Sequence, residues 1–578
     1  MNVSGTLRRL MQYLRPHQGA LMVVTLVAAL GTAAALTAPY LMGRAIDQLV
    51  HKNTVLLLWM ALLMLAAYLL SSAAQLIQGV LIVRVSQKAM RTLRGDLFNH
   101  LQTLSLRFFD GQSQGDLMSR LTNDMDAINQ VLTNQITQLF TGILTLAGVL
   151  VIIFFLSPWL ALGSMIAFPL MIGLVGWVGK RTRNKFRDYQ AQLGRLNGIL
   201  EETYSGQRVV LAFGQGHAVM EQFDRANQAV RTNGIKAMTL ALLVMPMMGI
   251  LSNLNIAVLC GLGGWLAIKG MVSIGTIAAF IIYTRRFAEP LRQLGNLYNQ
   301  VQGALAGAER IFEMLDTPSD QNDAPPAHEL SRISGDVRLE AVSFGYITNV
   351  PVLKNISIHA RCGERIALVG HTGAGKTTLV NLLSRFYDID KGYIFIDGMD
   401  IRSVTRTSLR RQLGIVQQQS FLFSESVLEN IRYGRLDATD EEVMAAARTA
   451  HADGFIRRLP RGYDTVLSER GESLSEGQRQ LLAIARAVLA DPAILILDEA
   501  TSSVDTRTEM AIQTALLKLM QGRTSFVIAH RLSTIAGADQ VIVIEKGEIV
   551  EKGTHASLLA LQGVYHRLYH SQFRGREE

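Results

Sequence analysis

The sequence predicts an α-helical membrane domain with six spans, followed by an α/β domain built around a phosphate-binding loop. Three observations lead to this fold class. Long apolar segments without charged residues fill much of the first half of the chain. The pattern G-x-x-x-x-G-K-[ST] begins at Gly370, between a strand-like apolar run and a helix-like segment. A second apolar run ends in Asp498 and Glu499, and the carboxyl ends of buried parallel strands are where α/β sheets bind ligands.

Length and composition agree with a two-domain membrane protein. With 578 residues, the chain is longer than one hydrophobic core usually supports. Hydrophobic residues make up 49% and charged residues only 18%, and the mean hydropathy is +0.22. The net charge of +9 comes from Lys and Arg residues that flank apolar spans, and no basic face is interleaved with aromatic residues. We therefore expect a membrane lipid environment and no nucleic-acid partner.

The membrane spans are predicted from segments that lack Asp, Glu, Lys and Arg. Residues 18–43 and 53–83 give two spans, and residues 127–179 are long enough for two more, with Ser157-Pro158 as the turn. Residues 237–268 give the fifth span, and the sixth begins near Ile274. A soluble helical core is the alternative, which four such long stretches disfavour. The predicted spans are 19–43, 55–83, 133–156, 159–179, 240–266 and 273–296.

The distribution of basic residues predicts the orientation. The links 84–126 and 180–236 are long and basic, whereas the other links carry few basic residues. By the positive-inside rule, the long links and both termini are cytoplasmic, so we expect a multi-pass protein of the cell (inner) membrane. The proline-rich residues 319–335 form the predicted linker between a membrane domain at 1–318 and an ATP-binding domain at 336–578.

The phosphate loop predicts how ATP and Mg²⁺ bind. Glycines allow backbone N–H groups and the positive end of the following helix to face the phosphates. Lys376 would reach the β and γ phosphates, and the Thr377 hydroxyl would ligate Mg²⁺. Asp498 would hold Mg²⁺ through water, and Glu499 would orient and deprotonate the attacking water. A chance glycine-rich turn and a pair of ordinary surface acids are the alternatives. The predicted ATP cradle comprises Gly370, His371, Thr372, Gly373, Ala374, Gly375, Lys376, Thr377 and Thr378.

Between these two motifs, Leu474-Ser-Glu-Gly-Gln478 resembles the LSGGQ signature of the ATP-binding cassette (ABC) family. The chain also contains the other motifs of this family, in the order that the family shows. The resemblance implies that Tyr346 stacks on adenine, that Gln418 senses Mg²⁺ and contacts the membrane domain, and that His530 contacts the γ phosphate. It assigns catalysis to Glu499, His530, Lys376 and Gln418, and Mg²⁺ binding to Thr377, Gln418 and Asp498.

The resemblance also implies a dimer, because in this family the signature of one cassette closes over the ATP of another. The chain contains one set of motifs, so its partner is expected to be a second ABC half-transporter. At Glu476 a carboxylate replaces the usual glycine, which would disfavour phosphate binding electrostatically unless the side chain points away. This departure favours a heterodimer over a homodimer, and both remain open. The residues expected to act on the partner's ATP are Leu474, Ser475, Glu476, Gly477, Gln478 and Asp505.

Two segments of the cytoplasmic links resemble the intracellular loops of ABC exporters. The stretch from Phe108 to Asp126 is similar to the first loop, and Gly206 to Phe213 is similar to the second. In the family, each loop presents a short helix that docks on a cassette. A solvated helical hairpin is the alternative for both.

The sixth predicted span contains charged residues that a membrane helix rarely carries. A helix that begins near Ile274 and rises 1.5 Å per residue places Arg285 and Arg286 about 17 Å deep, near the middle of a ~30 Å apolar core. Charges at that depth face a bundle interior or a water-filled cavity. Glu289 is within reach of either arginine but cannot neutralise both. One arginine is therefore predicted to line the transport cavity and to favour amphipathic or anionic cargo.

These features together predict a transporter driven by ATP hydrolysis. By resemblance, it exports amphipathic small molecules, drugs or lipids through alternating access. An inward-directed, siderophore-like transporter on the same fold and an ATP-gated channel or regulator are the alternatives.

Overall fold

The computed structural model describes residues 3–165, 167–320, 327–347, 349–418, 420–468, 471–498, 505–529 and 532–572. The chain divides into two compact units. The first comprises Met1–Leu101 and Gln114–Thr317, and the second comprises Gln102–Ser113 and Pro318–Glu578. Part of the predicted first intracellular loop therefore belongs to the second unit.

The first unit is helical along its described length. Two π-helical turns, Arg120–Asp124 and Val131–Gln135, join three of its helices into one continuous stretch. The helices in the first 316 residues are α1 (Val3–Leu14), α2 (Gln18–Val50), α3 (Thr54–Leu101), α4 (Leu106–Asp110, in the second unit), α5 (Gln114–Ser119), α6 (Met125–Gln130), α7 (Ile136–Leu156), α8 (Pro158–Met165), α9 (Ala167–Ser205), α10 (Gln207–Ala212), α11 (Gly216–Leu242), α12 (Val244–Ile268) and α13 (Ile274–Asp316).

Five helical stretches of the described residues are long and apolar enough to cross a membrane. The predicted turn at Ser157-Pro158 is confirmed, since α7 ends before Ser157 and α8 begins at Pro158. The five stretches are Gly5–Val50, Thr54–Leu101, Gln114–Leu156, Pro158–Ser205 and Gly216–Ile268.

The sixth predicted span lies in α13 and is not one of these five stretches. Its apolar sequence is interrupted by Arg285, Arg286 and Glu289. The helix nevertheless belongs to the core of the unit, because Phe280 and Tyr283 are buried in the same hydrophobic cluster as residues of α2 and α7. The count of six spans therefore stays a prediction.

Close contact between α2 and α13 depends on glycine. A Cβ atom on Gly275 would lie 1.8 Å from the carbonyl oxygen of Gly43, so any larger residue would separate the two helices. The Asp47 carboxylate also accepts a hydrogen bond of 2.8 Å from the Gly275 N–H. These contacts fix the start of α13 against the end of α2.

The second unit contains two sheets. The strands are β1 (Val337–Phe344), β2 (Leu353–Ala360), β3 (Arg365–Val369), β4 (Lys391–Ile396), β5 (Met399–Asp400), β6 (Leu413–Val416), β7 (Ile494–Asp498), β8 (Thr524–Ile528), β9 (Gln540–Glu545) and β10 (Glu548–Gly553). Strands β2-β1-β4-β5 form one antiparallel sheet, and the order β10-β9-β3-β8-β7-β6 forms the other. The helices are α14 (Lys376–Leu383), α15 (Arg406–Arg411), α16 (Val427–Arg432), α17 (Asp440–Thr449), α18 (Asp453–Ile456), α19 (Glu476–Ala490), α20 (Thr506–Met520), α21 (Leu532–Ala536), α22 (His555–Ala560) and α23 (Val564–Gln572).

The larger sheet positions the candidate site. Strands β6, β7, β8, β3 and β9 run parallel, and β8 is buried along its whole length. Their apolar runs suit strands covered on both faces, and the loops that follow their carboxyl ends lie at one edge of the sheet. Part of the predicted linker also packs on this unit, since Leu330 and Ile333 are buried in its core.

Candidate functional site

The phosphate loop connects β3 to α14 through a backbone that requires glycine. Gly373 and Gly375 have φ angles of 82° and 107°, in the left-handed region that L-residues rarely adopt. A Cβ atom on Gly375 would also approach the Leu353 Cδ2 atom to 2.6 Å. Gly375 immediately precedes the first residue of α14, so its conformation determines how the loop enters the helix. The N–H groups of that first turn are then available to an anion.

Lys376 is the cation at this loop. Its side chain is only 7% exposed, and its Nζ atom donates hydrogen bonds to the carbonyl oxygens of Gly370 (2.6 Å) and His371 (3.0 Å). Burial lowers the pKa of Lys376, and the negative charge of Asp498 opposes this effect. A desolvated cation held inside the loop suits a polyphosphate, whose charged oxygens are stronger acceptors than carbonyl groups.

The predicted magnesium ligands come from three parts of the second unit. Thr377 is exposed in the first turn of α14, Gln418 is exposed shortly after β6, and Asp498 ends β7. Hydroxyl, amide and carboxylate oxygens are ligands that Mg²⁺ accepts, so these residues fit the ion. When bound, Mg²⁺ would neutralise part of the phosphate charge.

The two predicted catalytic residues Glu499 and His530 lie outside the described residues. Their neighbours are described: Asp498 ends β7, and Ala529 is buried just after β8. Since β7 and β8 are paired and parallel, the chain leaves both strands at the same edge of the sheet. The catalytic roles of Glu499 and His530 stay predictions.

Tyr346, the predicted adenine-stacking residue, is held beside the phosphate loop. Its hydroxyl donates a 3.2 Å hydrogen bond to Oγ1 of Thr378, in the first turn of α14. Its ring lies edge-on to the rings of Phe344 and Tyr387, with 5.1 Å between centroids in each case. The side chain is partly exposed. A fixed and accessible aromatic ring next to the loop suits stacking on a nucleobase.

The signature segment forms the start of α19. The Oγ atom of Ser475 accepts a hydrogen bond from the Gln478 N–H (3.3 Å), and Oε1 of Gln478 accepts one from the Ser475 N–H (3.0 Å). This is a capping box, which fixes the first helical turn. Glu476 is the first helical residue, where the helix dipole stabilises a carboxylate. Leu474 and Gly477 are buried beneath this turn.

Asp505 caps the N-terminus of α20, as Ser475 caps that of α19. Its carboxylate accepts a 3.0 Å hydrogen bond from the Thr508 N–H, and this bond lowers the pKa of Asp505. The residues Ser502, Ser503 and Val504 that precede it lie outside the described part. Both segments assigned to the partner's ATP therefore lead into helix N-termini, which favour anions.

A short helix at the start of the first intracellular loop belongs to the second unit and packs within it. This is α4 (Leu106–Asp110), the short helix that the family resemblance implied. Arg107 donates a 3.3 Å hydrogen bond to the carbonyl oxygen of Gly345, and the Tyr387 hydroxyl donates one to the Asp110 carboxylate. Burial, together with this bond to Asp110, raises the pKa of Tyr387. The sequence analysis missed Tyr387, because no local pattern relates residues 277 positions apart.

The second loop also forms a short helix, α10 (Gln207–Ala212). Apolar side chains in this helix and directly after it are uncovered: Val209, Leu211 and Phe213 are all strongly exposed. Apolar groups clustered at a loop tip indicate a surface that another protein element covers.

Sequence analysis also missed Arg486, which connects the signature helix to the segment after Gln418. Its guanidinium donates to the carbonyl oxygen of Phe421 (2.7 Å) and to Oδ1 of Asn430 (2.7 Å). Burial lowers the pKa of Arg486 to about 10. This contact ties α19 to the loop that carries the predicted Mg²⁺-sensing glutamine.

In the first unit, a cavity of about 410 Å³ lies among α2, α3, α7 and α13. Arg286 lines this cavity, whereas Arg285 is exposed elsewhere on α13. Glu289 accepts a 3.1 Å hydrogen bond from Gln293. Of the two candidate arginines, Arg286 is therefore the one whose position fits a cavity role.

A phosphate loop, a capped signature helix and a unit of long apolar helices define an ATPase of the membrane-transport class. Residues 21–291 match the family description "ABC transporter transmembrane region", and residues 353–502 match "ABC transporter". The chain belongs to the ABC transporter family, with the membrane domain and the ATPase fused in one polypeptide.

Relatives and a solved structure support an exporter-type member. The chain is 46% identical to the "Fatty acid ABC transporter ATP-binding/permease protein" of Mycobacterium bovis, over 88% of this chain and 80% of the relative. It is 41% identical to the "ATP-dependent lipid A-core flippase" of Syntrophus aciditrophicus, over 98% and 94% of the two chains. The solved structure of an ATP-bound bacterial Atm1-family ABC exporter matches with a TM-score of 0.77 and 31% identity, over 97% of this chain and 98% of that one.

Proposed function

We propose that this ABC exporter moves anionic, amphipathic lipids across the membrane by alternating access, as a dimer of half-transporters. The observation that carries the proposal is Arg286, a cation that lines a cavity among long apolar helices. An ionisable residue inside a membrane domain is costly to maintain unless it serves a ligand or a pathway. Two relatives support a lipid cargo, since their names refer to fatty acids and to lipid A-core.

ATP hydrolysis supplies the driving force. In the proposed cycle, Lys376 holds the β and γ phosphates, Tyr346 stacks on adenine, and Thr377, Gln418 and Asp498 hold Mg²⁺. Glu499 activates the attacking water and His530 contacts the γ phosphate. ATP can close the dimer only by binding its closed state more tightly than its open state. Helix α4, which contacts Tyr387 in the ATPase unit, is proposed to transmit this closure to the membrane helices.

The dimer is proposed from two observations on the single chain. It carries one set of ABC motifs, and the apolar tip of α10 is exposed. A partner cassette would cover Val209, Leu211 and Phe213. Glu476 favours a different half-transporter as the partner, because a second copy would bring a carboxylate to each ATP. The ATPase unit and both termini are proposed to lie on the cytoplasmic side of the inner membrane.

The test is vesicle transport with the purified protein, alone and together with a co-expressed half-transporter. Flux of a labelled lysophospholipid is measured in proteoliposomes whose ATPase units face outward. We expect ATP-dependent accumulation inside these vesicles. Glu499→Gln should still bind ATP but should trap the closed state and stop flux. Normal turnover by that variant would refute the catalytic assignment.

The direction and the stoichiometry of the flux separate the alternatives. Accumulation only in vesicles with inward-facing ATPase units and internal ATP would identify an importer. Conductance without stoichiometric ATP consumption would identify a gated channel. Either result would overturn the proposed export.

A further inference from the structure

We infer that the cavity around Arg286 selects an anionic lipid whose head group also carries hydroxyl donors, in preference to one with a bare carboxylate. This inference rests on the proposed function and specifies the head-group chemistry that its cavity recognises. Four helices of the first unit supply the lining, and at about 410 Å³ the space is the size of a small-ligand pocket.

The charge of the cavity wall requires that the ligand be an anion. Among the described residues that line it, Arg286 is the one charged side chain. Its guanidinium offers several N–H donors in a planar fork that matches the oxygens of a carboxylate or a phosphate. A cation whose neighbours in the cavity wall are uncharged is stabilised when an anion occupies the same space.

Gln78 supplies a second, independent observation. Its side chain lines the cavity and is only 5% exposed, so its amide is a polar group of the cavity wall. A polar ligand in the cavity would satisfy both its N–H₂ donors and its carbonyl acceptor.

Thr32 and Thr141 present acceptors to the cavity. Thr137, Thr141 and Thr145 line it from one face of α7, at a spacing of four residues. The Thr141 hydroxyl already donates to the Thr137 carbonyl oxygen (2.9 Å), and on α2 the Thr32 hydroxyl donates to the Ala28 carbonyl oxygen (2.8 Å). Since each hydroxyl has a single proton, these groups face the cavity with oxygen lone pairs.

These groups together require a ligand with both an anion and donors. An ionised fatty acid would satisfy Arg286, but it has no hydrogen to donate, so the oxygen lone pairs of Thr32 and Thr141 would gain no donor from it. A phosphodiester head group with glycerol or sugar hydroxyls provides both. The acyl chain would then extend along the apolar helix surfaces around the cavity.

The inference is tested by equilibrium binding to the nucleotide-free protein in lipid nanodiscs. Three probes share one saturated chain: lysophosphatidylglycerol has an anion and hydroxyls, palmitate has only an anion, and monopalmitoylglycerol has only hydroxyls. For the wild type, we expect lysophosphatidylglycerol to bind about tenfold more tightly than either other probe, as one or two charge-assisted or neutral hydrogen bonds would give.

Variants assign each preference to its residue. Arg286→Gln should remove the preference for lysophosphatidylglycerol over monopalmitoylglycerol, and Arg286→Lys should retain part of it. Thr141→Val should reduce the preference for lysophosphatidylglycerol over palmitate. The matched control is Thr37→Val, because the Thr37 hydroxyl makes the same bond to Ala33 (2.9 Å) but is exposed and outside the cavity. Size-exclusion profiles establish that each variant is folded.

Equal binding of palmitate and lysophosphatidylglycerol by the wild type would overturn the inference, and so would identical effects of Thr141→Val and Thr37→Val. Because binding is measured without nucleotide, the proposed function can fail separately. ATP-driven export without the head-group preference would overturn the inference alone. If the head-group preference is observed but ATP-driven flux is not, the inference is supported and the proposed export is contradicted.

Discussion

The Tyr387 hydroxyl donates a hydrogen bond to the carboxylate of Asp110, 277 residues earlier in the chain. The same phenol ring lies edge-on to Tyr346, with 5.1 Å between ring centroids. One side chain therefore contacts both the predicted adenine-stacking residue and the short helix of the first intracellular loop. This ring is one contact between the predicted nucleotide site and α4, beside the hydrogen bond from Arg107 to the carbonyl oxygen of Gly345.

This contact predicts a coupling defect in Tyr387→Phe. The variant keeps the ring beside Tyr346 but leaves Asp110 without this donor. We expect nucleotide affinity to change little, while transport per ATP hydrolysed falls about fivefold, in line with the ~1 kcal/mol of one hydrogen bond. The measurement is the ratio of lipid flux to phosphate release in proteoliposomes.

Tyr393→Phe is the matched control for this variant, because Tyr393 is exposed on β4 and stacks on Phe395. Its flux ratio should equal that of the wild type. An unchanged ratio in Tyr387→Phe would show that α4 is coupled through other contacts.

A second prediction concerns the backbone of the phosphate loop. Gly375→Ala places a methyl group at a φ of 107° and against Leu353. We expect the ATPase unit to lose about 1–3 kcal/mol of stability and ATP affinity to fall at the same time. Gly454→Ala is the control, since a Cβ atom there meets nothing within 4 Å. Thermal unfolding and nucleotide titration measure both effects, and equal melting temperatures for the two variants would contradict the prediction.

A third prediction tests the carboxylate of the signature. Glu476→Gly removes a negative charge from the start of α19, where it would face the partner's ATP. If repulsion costs about 1–2 kcal/mol, ATPase activity should rise roughly tenfold. Loss of the favourable interaction with the helix dipole should cost the cassette only about 0.3–1 kcal/mol of stability.

The control for Glu476 is Glu472→Gln, an exposed acid just outside the helix. It should leave activity unchanged. If Glu476→Gly is also without effect in the chain alone and in the co-expressed pair, the carboxylate points away from the nucleotide. That result would remove the main reason to favour a heterodimer.

A fourth prediction compares two ion pairs that both involve α13. Arg310 forms a two-pronged pair with Asp124, whose side chain is only 11% exposed, whereas Arg9 pairs with the exposed Asp316. Arg310→Met should destabilise the membrane unit by about 1–3 kcal/mol, because it removes the donors of a mostly buried carboxylate. Arg9→Met should cost at most about 1 kcal/mol. The melting temperatures in detergent measure this difference, and equal shifts would show that Asp124 is solvated.

Much of the ATPase site could be predicted from sequence because its parts are local. The phosphate loop is defined within nine residues by glycines that the backbone needs and by one lysine. The start of α19 follows from a serine and a glutamine three residues apart, which form a capping box in almost any context. The five apolar stretches and the turn at Ser157-Pro158 are likewise properties of short windows of sequence.

The contacts between distant segments could not be predicted in this way. Tyr387 and Asp110 belong to different motifs, and only the folded chain brings the loop helix to the cassette. Gln78, Thr141 and Thr32 lie on three different helices, so their common cavity depends on how those helices pack.

The two arginines of α13 show most directly what the sequence predicts and what only the packing of the helices decides. The sequence alone determined that adjacent cations lie deep in a predicted span and that one carboxylate cannot neutralise both. Consecutive residues of a helix point about 100° apart, so at most one of them faces a given cavity. Only the packing of α13 against its neighbours decided that this residue is Arg286, because the position of the helix axis relative to α2, α3 and α7 is set by side chains far away in the sequence.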